Sequence, residues 1–501
     1  MSGECILAID QGTTNTKALL VGRDGQPVFR ASVPVRVQSP QSGWVEQDAI
    51  ELWESVVTAV AQCLAWATQR GSTLAGVAIS NQRETVVAWS RATGVPVAPA
   101  ILWQCRRSAA ICDELKAQGR QPLLRERTGL GIDPLFSASK MRWLLENVPE
   151  LREQASAGEI CFGTVDSWLI WKLTNGAVQA CDVSNASRTQ LLDLRTAQWD
   201  DHLLALFQIP RATLPTVRPS SNAFGECSGL HGLRNVPLVG AIGDSHAAMA
   251  GQGCFESGAV KATYGTGSSL MTLLPELPKM TEQSNLATTI AWGLPGVSVQ
   301  YALEGNISMA GSAMQWVGEF LGLADPVKDT ANLAASVGGS DGIFFVPAMV
   351  GLGAPHWDNR ARGTISGLGR TTRAAHLAHA AIEAIAFQVR DVFDAMVDEA
   401  KCELPVVRAD GGATQNDWLM QFQADILGRP VVRSRHEDLS ALGAARLGGL
   451  TLGWWHTLAD LSALPSEAET FSPRMQLAER EDRYAGWKLA VQRARLQEIQ
   501  P

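Results

Sequence analysis

Two stretches constrain this chain more than any others. "ILAIDQGTTNTKALLV" (6–21) is an apolar strand ending in Asp10, a tight Gly-Thr-Thr turn and a second apolar strand. "AVKATYGTGSSLMTLL" (259–274) repeats the pattern about half a chain later. One such turn is an ordinary hairpin. Two, in matching contexts, point to a duplicated domain whose turns face each other. Consecutive N–H groups in a Gly-rich turn form an anion nest, and threonine hydroxyls add donors. Phosphate is therefore the leading ligand. The dipeptide Gly-Lys never occurs, so this is not a Walker loop, and the H-E-x-x-H zinc motif is missing too.

The rest of the chain alternates short apolar strands with helices, which indicates an α/β fold. Residues 48–69 read as an amphipathic helix, capped by Asp48 with Glu51 completing a capping box. "GVAIS" (76–80) is a buried strand, and "ETVVAWS" (84–90) a further strand after the loop "NQR". Residues 374–400 form a long Ala-rich helix between layers, and residues 406–428 read as strand, Gly turn, helix. The 501 residues exceed what one core accommodates and suit two domains. We place them at 1–251 and 252–501.

A net charge of −8 argues against nucleic acid and anionic membrane surfaces as partners, though phosphate sites remain possible because they are local. No apolar run is long enough to span a bilayer, and "MSGECILAIDQG" has none of the parts of an export signal. The nine cysteines are scattered with no C-x-x-C pair, as expected for free thiols in a cytoplasmic protein. His376 and His379 stand three apart on a helix. With no evident carboxylate or cysteine beside them, they read as solvated side chains rather than metal ligands.

Several residues carry candidate chemistry. Asp10, beside the first turn, is either a turn cap or a Mg²⁺ ligand acting through water. "LVGAIGDSHAAMAG" (238–251) places Asp244 at the start of a small-residue helix, as an N-cap, a general base, or both. Gly-Asp-Ser at 243–245 also looks like a serine-hydrolase elbow, but no histidine has an aspartate three residues before it, as hydrolases of that type do. Arg83 and Glu84 are either an exposed pair of little consequence or donors and an acceptor for a polyhydroxy ligand. Trp103 is either core or an apolar wall.

Together these motifs resemble the FGGY carbohydrate kinases, most closely their glycerol kinase branch. The resemblance rests on "AIDQGTTNTKA", "SNQRETVVAW", "ILWQCRRSA", "FGTVDSWLIWKLT", "SNASRTQL", "TYGTG", "YALEGNISMAGSAMQW", "PAMVGLGAPHWD" and "DGGATQNDWLMQFQADILG". Two family signatures, "FSASKMRWL" (136–144) and "GTISGLGRTTRAAHLAHAAIE" (363–383), extend it, and it runs from about residue 5 to 491. It implies two actin/RNase H-like domains flanking an ATP cleft and transfer of the γ-phosphate to a primary hydroxyl of a small polyol or sugar. By that resemblance Thr13, Thr14, Asn15 and Lys17 serve the ATP phosphates. Thr266, Gly311, Gln315, Gly412 and Asn416 line the second domain's nucleotide site. Asp10 serves Mg²⁺, Asp244 is the catalytic base, and Arg83, Glu84 and Trp103 match the acceptor pocket. A homo-oligomer, dimer or tetramer, is expected as well.

The chain departs from the family pattern around the acceptor. Leu135 stands where tyrosine is usual, Ser245 and His246 replace two glutamines, and Ser268-Ser269 lack the aromatic expected second. Lys17 replaces arginine, and the Gly-rich regulatory loop of some relatives is not recognisable in "SGLHGLRNVP" (228–237). Smaller side chains at 135, 245 and 269 leave glycerol poorly positioned, which costs rate as well as affinity. The new Ser and His groups offer partners for further hydroxyls. A four- to five-carbon acceptor is the expectation. The alternatives are glycerol itself, a serine hydrolase using Ser245, and a non-catalytic ATP-gated scaffold.

Overall fold

The computed structural model describes residues 3–280 and 284–495. Two large sheets dominate it, and their wiring is the same. The first has the order β3-β2-β1-β4-β5, built from β1 (Glu4–Gln11), β2 (Asn15–Gly22), β3 (Pro27–Pro34), β4 (Thr73–Asn81) and β5 (Val236–Gly243). β1–β2 and β2–β3 are antiparallel hairpins; β1–β4 and β4–β5 are parallel. The second sheet repeats this as β8-β7-β6-β9-β10, from β6 (Ala259–Tyr264), β7 (Ser268–Leu274), β8 (Gln300–Ile307), β9 (Val406–Asp410) and β10 (Val431–Ser434). Edge strands at Ser221–Cys227, Ala287–Trp292 and Ala468–Phe471 complete the sheets. The duplication expected from the two turns is thus realised in strand order and direction.

The helices follow from local sequence. α1 (Ala49–Arg70) buries an apolar face that includes Leu52, Val56, Ala59, Val60 and Cys63. Asp48 caps it, but its side chain takes the amide of Ile50 rather than that of Glu51. The capping box expected with Glu51 does not form. α2 (Val183–Ser187), α3 (Asp244–Gly251) and α4 (Gly311–Phe320) each start at the cleft. α5 (Ala374–Ala400) is buried over most of its length, its alanines allowing close packing beneath the second sheet. α6 (Asp417–Leu427) follows the Gly turn after β9.

α7 (Leu439–Thr451) comes late in the chain yet packs on the first sheet, joining Ile6, Ala8, Leu19 and Val239 in one apolar cluster. A boundary drawn at residue 251 therefore separates the sheets but not every helix. The approach of α7 to α3 requires Gly443, where a Cβ would lie 1.8 Å from the Ala247 carbonyl oxygen.

Three further expectations change. The strand read at 84–90 starts only at Val87, because Glu84 adopts a left-handed turn with φ 60°. His379 is buried rather than solvated, against Trp418 and 3.5 Å from Glu383. The Nδ1 of His376 accepts the Arg373 amide at the start of α5. Among the described residues no cluster of His, Cys, Asp or Glu could hold a metal by three ligands, and no helix is long and apolar enough to cross a membrane. The cysteines are free thiols, all but Cys402 buried.

Candidate active site

In open α/β sheets, ligands bind outside the carboxyl ends of the strands. Here those ends meet in a cleft between the two sheets. β1 delivers Asp10 and the turn Gly12-Thr13-Thr14-Asn15, β5 delivers Asp244, and β6 and β9 deliver Gly265-Thr266 and Asp410-Gly411-Gly412.

The first turn is closed by the Gly12 amide on the Asn15 carbonyl oxygen at 3.0 Å, and Asn15 Nδ2 donates to Thr14 Oγ1 at 3.1 Å. Thr13 Oγ1 accepts from Trp103 Nε1 at 3.0 Å. Trp103 is 36% exposed, so it is not core, and it stands beside the first turn. The second turn is stapled to the start of α4: Gly311 N donates to the Gly265 oxygen at 2.9 Å, and Thr266 oxygen accepts from Ala310 and Ser312. Gly411, at φ 97°, packs so closely on Tyr264 that a Cβ would sit 2.5 Å from its carbonyl oxygen. Thr266, Gly311 and Gly412 are thereby brought together. Gln315 lies one turn further along α4, exposed and donating to Glu319 at 2.8 Å. Asn416 caps α6 through Oδ1 on the Leu419 amide, which leaves its amide nitrogen for a ligand. Lys17 stands opposite Asp10 in the hairpin, but its ammonium pairs with Asp438 at 2.9 Å.

Gly265 and Gly412 are not glycines the fold itself needs. Neither has a positive φ; a Cβ at Gly412 would meet nothing within 4 Å, and at Gly265 nothing nearer than 3.4 Å. The space beside both is open. Gly265→Val is therefore expected to fold, checked by circular dichroism, and to weaken ATP binding by roughly tenfold, about 1.4 kcal/mol, as measured by calorimetry. A folded variant with unchanged ATP affinity would leave only the first turn in the phosphate site.

On the acceptor side, Arg83 and Glu84 do not pair with each other. Their side chains diverge from the Glu84 turn, and both are buried. Glu84 is held in its strained backbone by Ser137 Oγ and Lys140 Nζ, which donate to its carbonyl oxygen at 3.0 and 3.1 Å. Arg83 Nε donates to Asp244 Oδ1 at 3.1 Å, and its Nη2 reaches Glu304 at 2.7 Å. Arg188 joins Glu84 to Glu304 at 2.7 and 2.8 Å. Arg83 Nη1 is buried and has no hydrogen-bond partner among the described residues. Such a donor is costly unless a ligand oxygen meets it.

Asp244 is the first helical residue of α3, and Gly243 is the N-cap, so the N-cap reading of Asp244 is not realised. Ser184 Oγ accepts from the Gly243 amide at 2.9 Å and fixes the turn before it. Burial pushes the Asp244 carboxyl up, and the Arg83 guanidinium opposes this. Burial likewise raises Asp10 to about 6, against the pull of Lys17, with Asp244 adding to the rise. Burial would also raise Glu304, but Arg188 and Arg83 outweigh it and hold that carboxyl well below its usual range. Lys261, buried on β6, is lowered by burial against the pull of Asp410.

The three departures are disposed differently. Leu135 turns into an apolar cluster with Leu130, Phe136 and Ala287. Ser245 and Ser269 face each other across the domains at 3.4 Å, with Lys261 Nζ 3.3 Å from Ser245 Oγ and Ser269 donating to Glu304 at 3.2 Å. His246 is wholly buried with its Nε2 3.5 Å from Thr289 Oγ1, and its Nδ1 has no hydrogen-bond partner among the described residues. Sequence reasoning missed Glu304, Arg188 and Lys261 as site residues, although the first two lie inside "YALEG" and "SNASRTQL".

The chain matches the N-terminal domain of the FGGY family of carbohydrate kinases over residues 5–251 and the C-terminal domain over 260–452. It is 47% identical to a glycerol kinase of Symbiobacterium thermophilum over 490 residues, 98% of each chain. It is 45% identical to glycerol kinase 2 of Thermotoga maritima, again over 98% of each. The crystal structure of Plasmodium falciparum glycerol kinase with ADP superposes with a TM-score of 0.93 at 32% identity, covering 99% of both chains. Duplicated actin/RNase H-like domains, paired turns and a cleft of carboxylates and arginines agree with these matches: the chain belongs to the FGGY family of carbohydrate kinases, phosphotransferases acting on a sugar or polyol alcohol.

Proposed function

We propose that this kinase transfers the γ-phosphoryl group of ATP to a primary hydroxyl of a polyol or sugar of four to five carbons. The observation that carries the acceptor reading is the hydroxyl wall of Ser245 and Ser269. Their 3.4 Å separation is long for an O–H···O bond. Ser269 gives its proton to Glu304 and Ser245 accepts from Lys261, so what the wall offers a ligand is the proton of Ser245 and the lone pairs that these contacts leave. Beside them, Arg83 Nη1 is a buried donor without a partner. A longer acceptor brings the extra oxygens that such a wall can bind.

In this reading Asp244 takes the proton of the attacking hydroxyl. Arg83 Nε and the Ser245 amide both donate to Oδ1 of that carboxylate, so Oδ2 is the oxygen assigned to the proton. Glu84 accepts from a second hydroxyl, and Trp103 forms the apolar wall. The two threonine turns hold the phosphates in line, and closure of the cleft excludes water. Asp10 fits a Mg²⁺ role: it is a buried carboxylate at the end of β1 beside the first turn, held by Ser80 Oγ on Oδ1 at 2.9 Å, and a cation would offset the burial that is the main cause of its raised pKa. No set of three protein ligands exists among the described residues, so Asp10 would hold the ion through water, and the ion would neutralise phosphate charge.

A second reading, glycerol as acceptor, is favoured by relatives named glycerol kinase at 45–47% identity. ADP release across polyols, ketoses and aldoses decides between them. We expect kcat/KM for a four- or five-carbon polyol or ketose to exceed that for glycerol by about tenfold or more. Glycerol as best acceptor would establish the second reading. Acceptor-dependent ADP release also excludes the scaffold. The hydrolase has little support, because the hydroxyl of Ser245 meets Lys261 and Ser269 rather than a histidine.

A further inference from the structure

Glu304 lies on β8 of the second sheet, while the acceptor groups Arg83, Glu84 and Asp244 belong to the first domain. Its carboxylate is completely buried. Arg83 Nη2 reaches Oε1 at 2.7 Å and Arg188 Nη1 reaches Oε2 at 2.8 Å. Arg188 continues to Glu84 at 2.7 Å, and Arg83 to Asp244 at 3.1 Å. The result is one chain of alternating charge, Asp244–Arg83–Glu304–Arg188–Glu84. Of these five groups only Glu304 comes from the second domain.

Buried ion pairs are little screened, and their energy depends steeply on geometry. The same second-domain sheet that carries Glu304 also carries the Gly265-Thr266 turn, on the neighbouring β6–β7 hairpin, where Glu304 pairs with Met271 of β7. Any movement of that sheet against the first domain displaces Glu304 relative to both arginines. It therefore changes where the unpartnered Arg83 Nη1 and the Glu84 carboxylate stand.

We infer that Glu304 is a positioning residue that couples nucleotide binding in the second domain to acceptor affinity in the first. The inference rests on the kinase reading above. Coupling of this kind is reciprocal: nucleotide tightens acceptor binding by the factor by which acceptor tightens nucleotide binding. A purely structural role for Glu304 would affect stability and leave that factor alone.

The test is calorimetric titration of the full-length protein with erythritol and with glycerol, each with and without Mg²⁺ and β,γ-imido-ATP. The parent should bind a polyol at least about fivefold more tightly when the nucleotide is present. In Glu304→Gln the ratio should fall to near one, with nucleotide affinity in the absence of polyol unchanged. Glu304→Asp keeps the charge but withdraws it by one methylene; it should give an intermediate ratio, and it carries the test if the glutamine variant does not fold. A parental ratio in either folded variant, or a ratio of one in the parent, overturns the inference and leaves the kinase reading intact. A parent that binds neither polyol in either state overturns the acceptor reading and this inference with it.

Discussion

Asp244→Asn should turn over roughly a hundredfold or more slowly than the parent while ATP still binds. The substitution preserves shape. An asparagine Oδ1 can still accept from Arg83 Nε and from the Ser245 amide, as the carboxylate does at 3.1 and 2.6 Å. The helix end is untouched, because Gly243 is the cap. What disappears is the ability to take a proton and one negative charge beside Arg83. Arg83 keeps Glu304, so the acceptor pocket stays assembled. The loss should therefore fall on kcat, read as ADP release at saturating acceptor, with calorimetry checking that nucleotide affinity persists. Turnover near the parental rate would remove Asp244 from the role of base.

Asp244 and the paired turns were legible because their constraint is local. A strand that ends in a Gly turn or a carboxylate announces itself within a few residues, and a second copy gives the domain duplication. The ion-pair chain was not legible. Arg83, Arg188 and Glu304 are far apart in sequence, and no spacing rule joins side chains from different sheets. Adjacency left Arg83 and Glu84 open between an exposed pair and a set of ligand groups; the left-handed turn at Glu84, which sends the two buried side chains to different partners, is what separates them. His246 and His379 illustrate the same limit. A histidine near a motif or on an Ala-rich helix gives no sign of its own depth, which tertiary packing decides. Glu51 shows the limit at short range, since Asp48 took the neighbouring amide and left the box open. The altered residues at 135, 245 and 269 were visible only against a family pattern. That Leu135 joins an apolar cluster while the two serines form a polar wall depended on three dimensions.

Restoring large side chains at those three positions, Leu135→Tyr with Ser245→Gln and Ser269→Phe, should invert the acceptor preference. The combined variant should gain on glycerol and lose on the four- or five-carbon acceptor. Ser269→Phe removes the hydroxyl that donates to Glu304, and Ser245→Gln removes the one beside Lys261. The hydroxyl wall is thereby replaced by an aromatic face and an amide. A one-carbon difference read by apolar contact is worth only about 1–3 kcal/mol. Loss of hydrogen bonds widens it, because a buried acceptor hydroxyl left without a partner costs about 1–3 kcal/mol more. The two serines meet across the domains, so their substitutions should not act additively, and neither alone should produce the whole inversion. Leu135→Tyr acts from a separate cluster and should contribute a smaller share, set by whether its ring leaves Leu130 and Phe136 for the cleft. The measurement is the ratio of kcat/KM for glycerol to that for the longer acceptor, in the parent, the single variants and the combination. An unchanged ratio in a folded combined variant would mean that these three positions do not set acceptor length. The hydroxyl wall would then be a repacked part of a glycerol site.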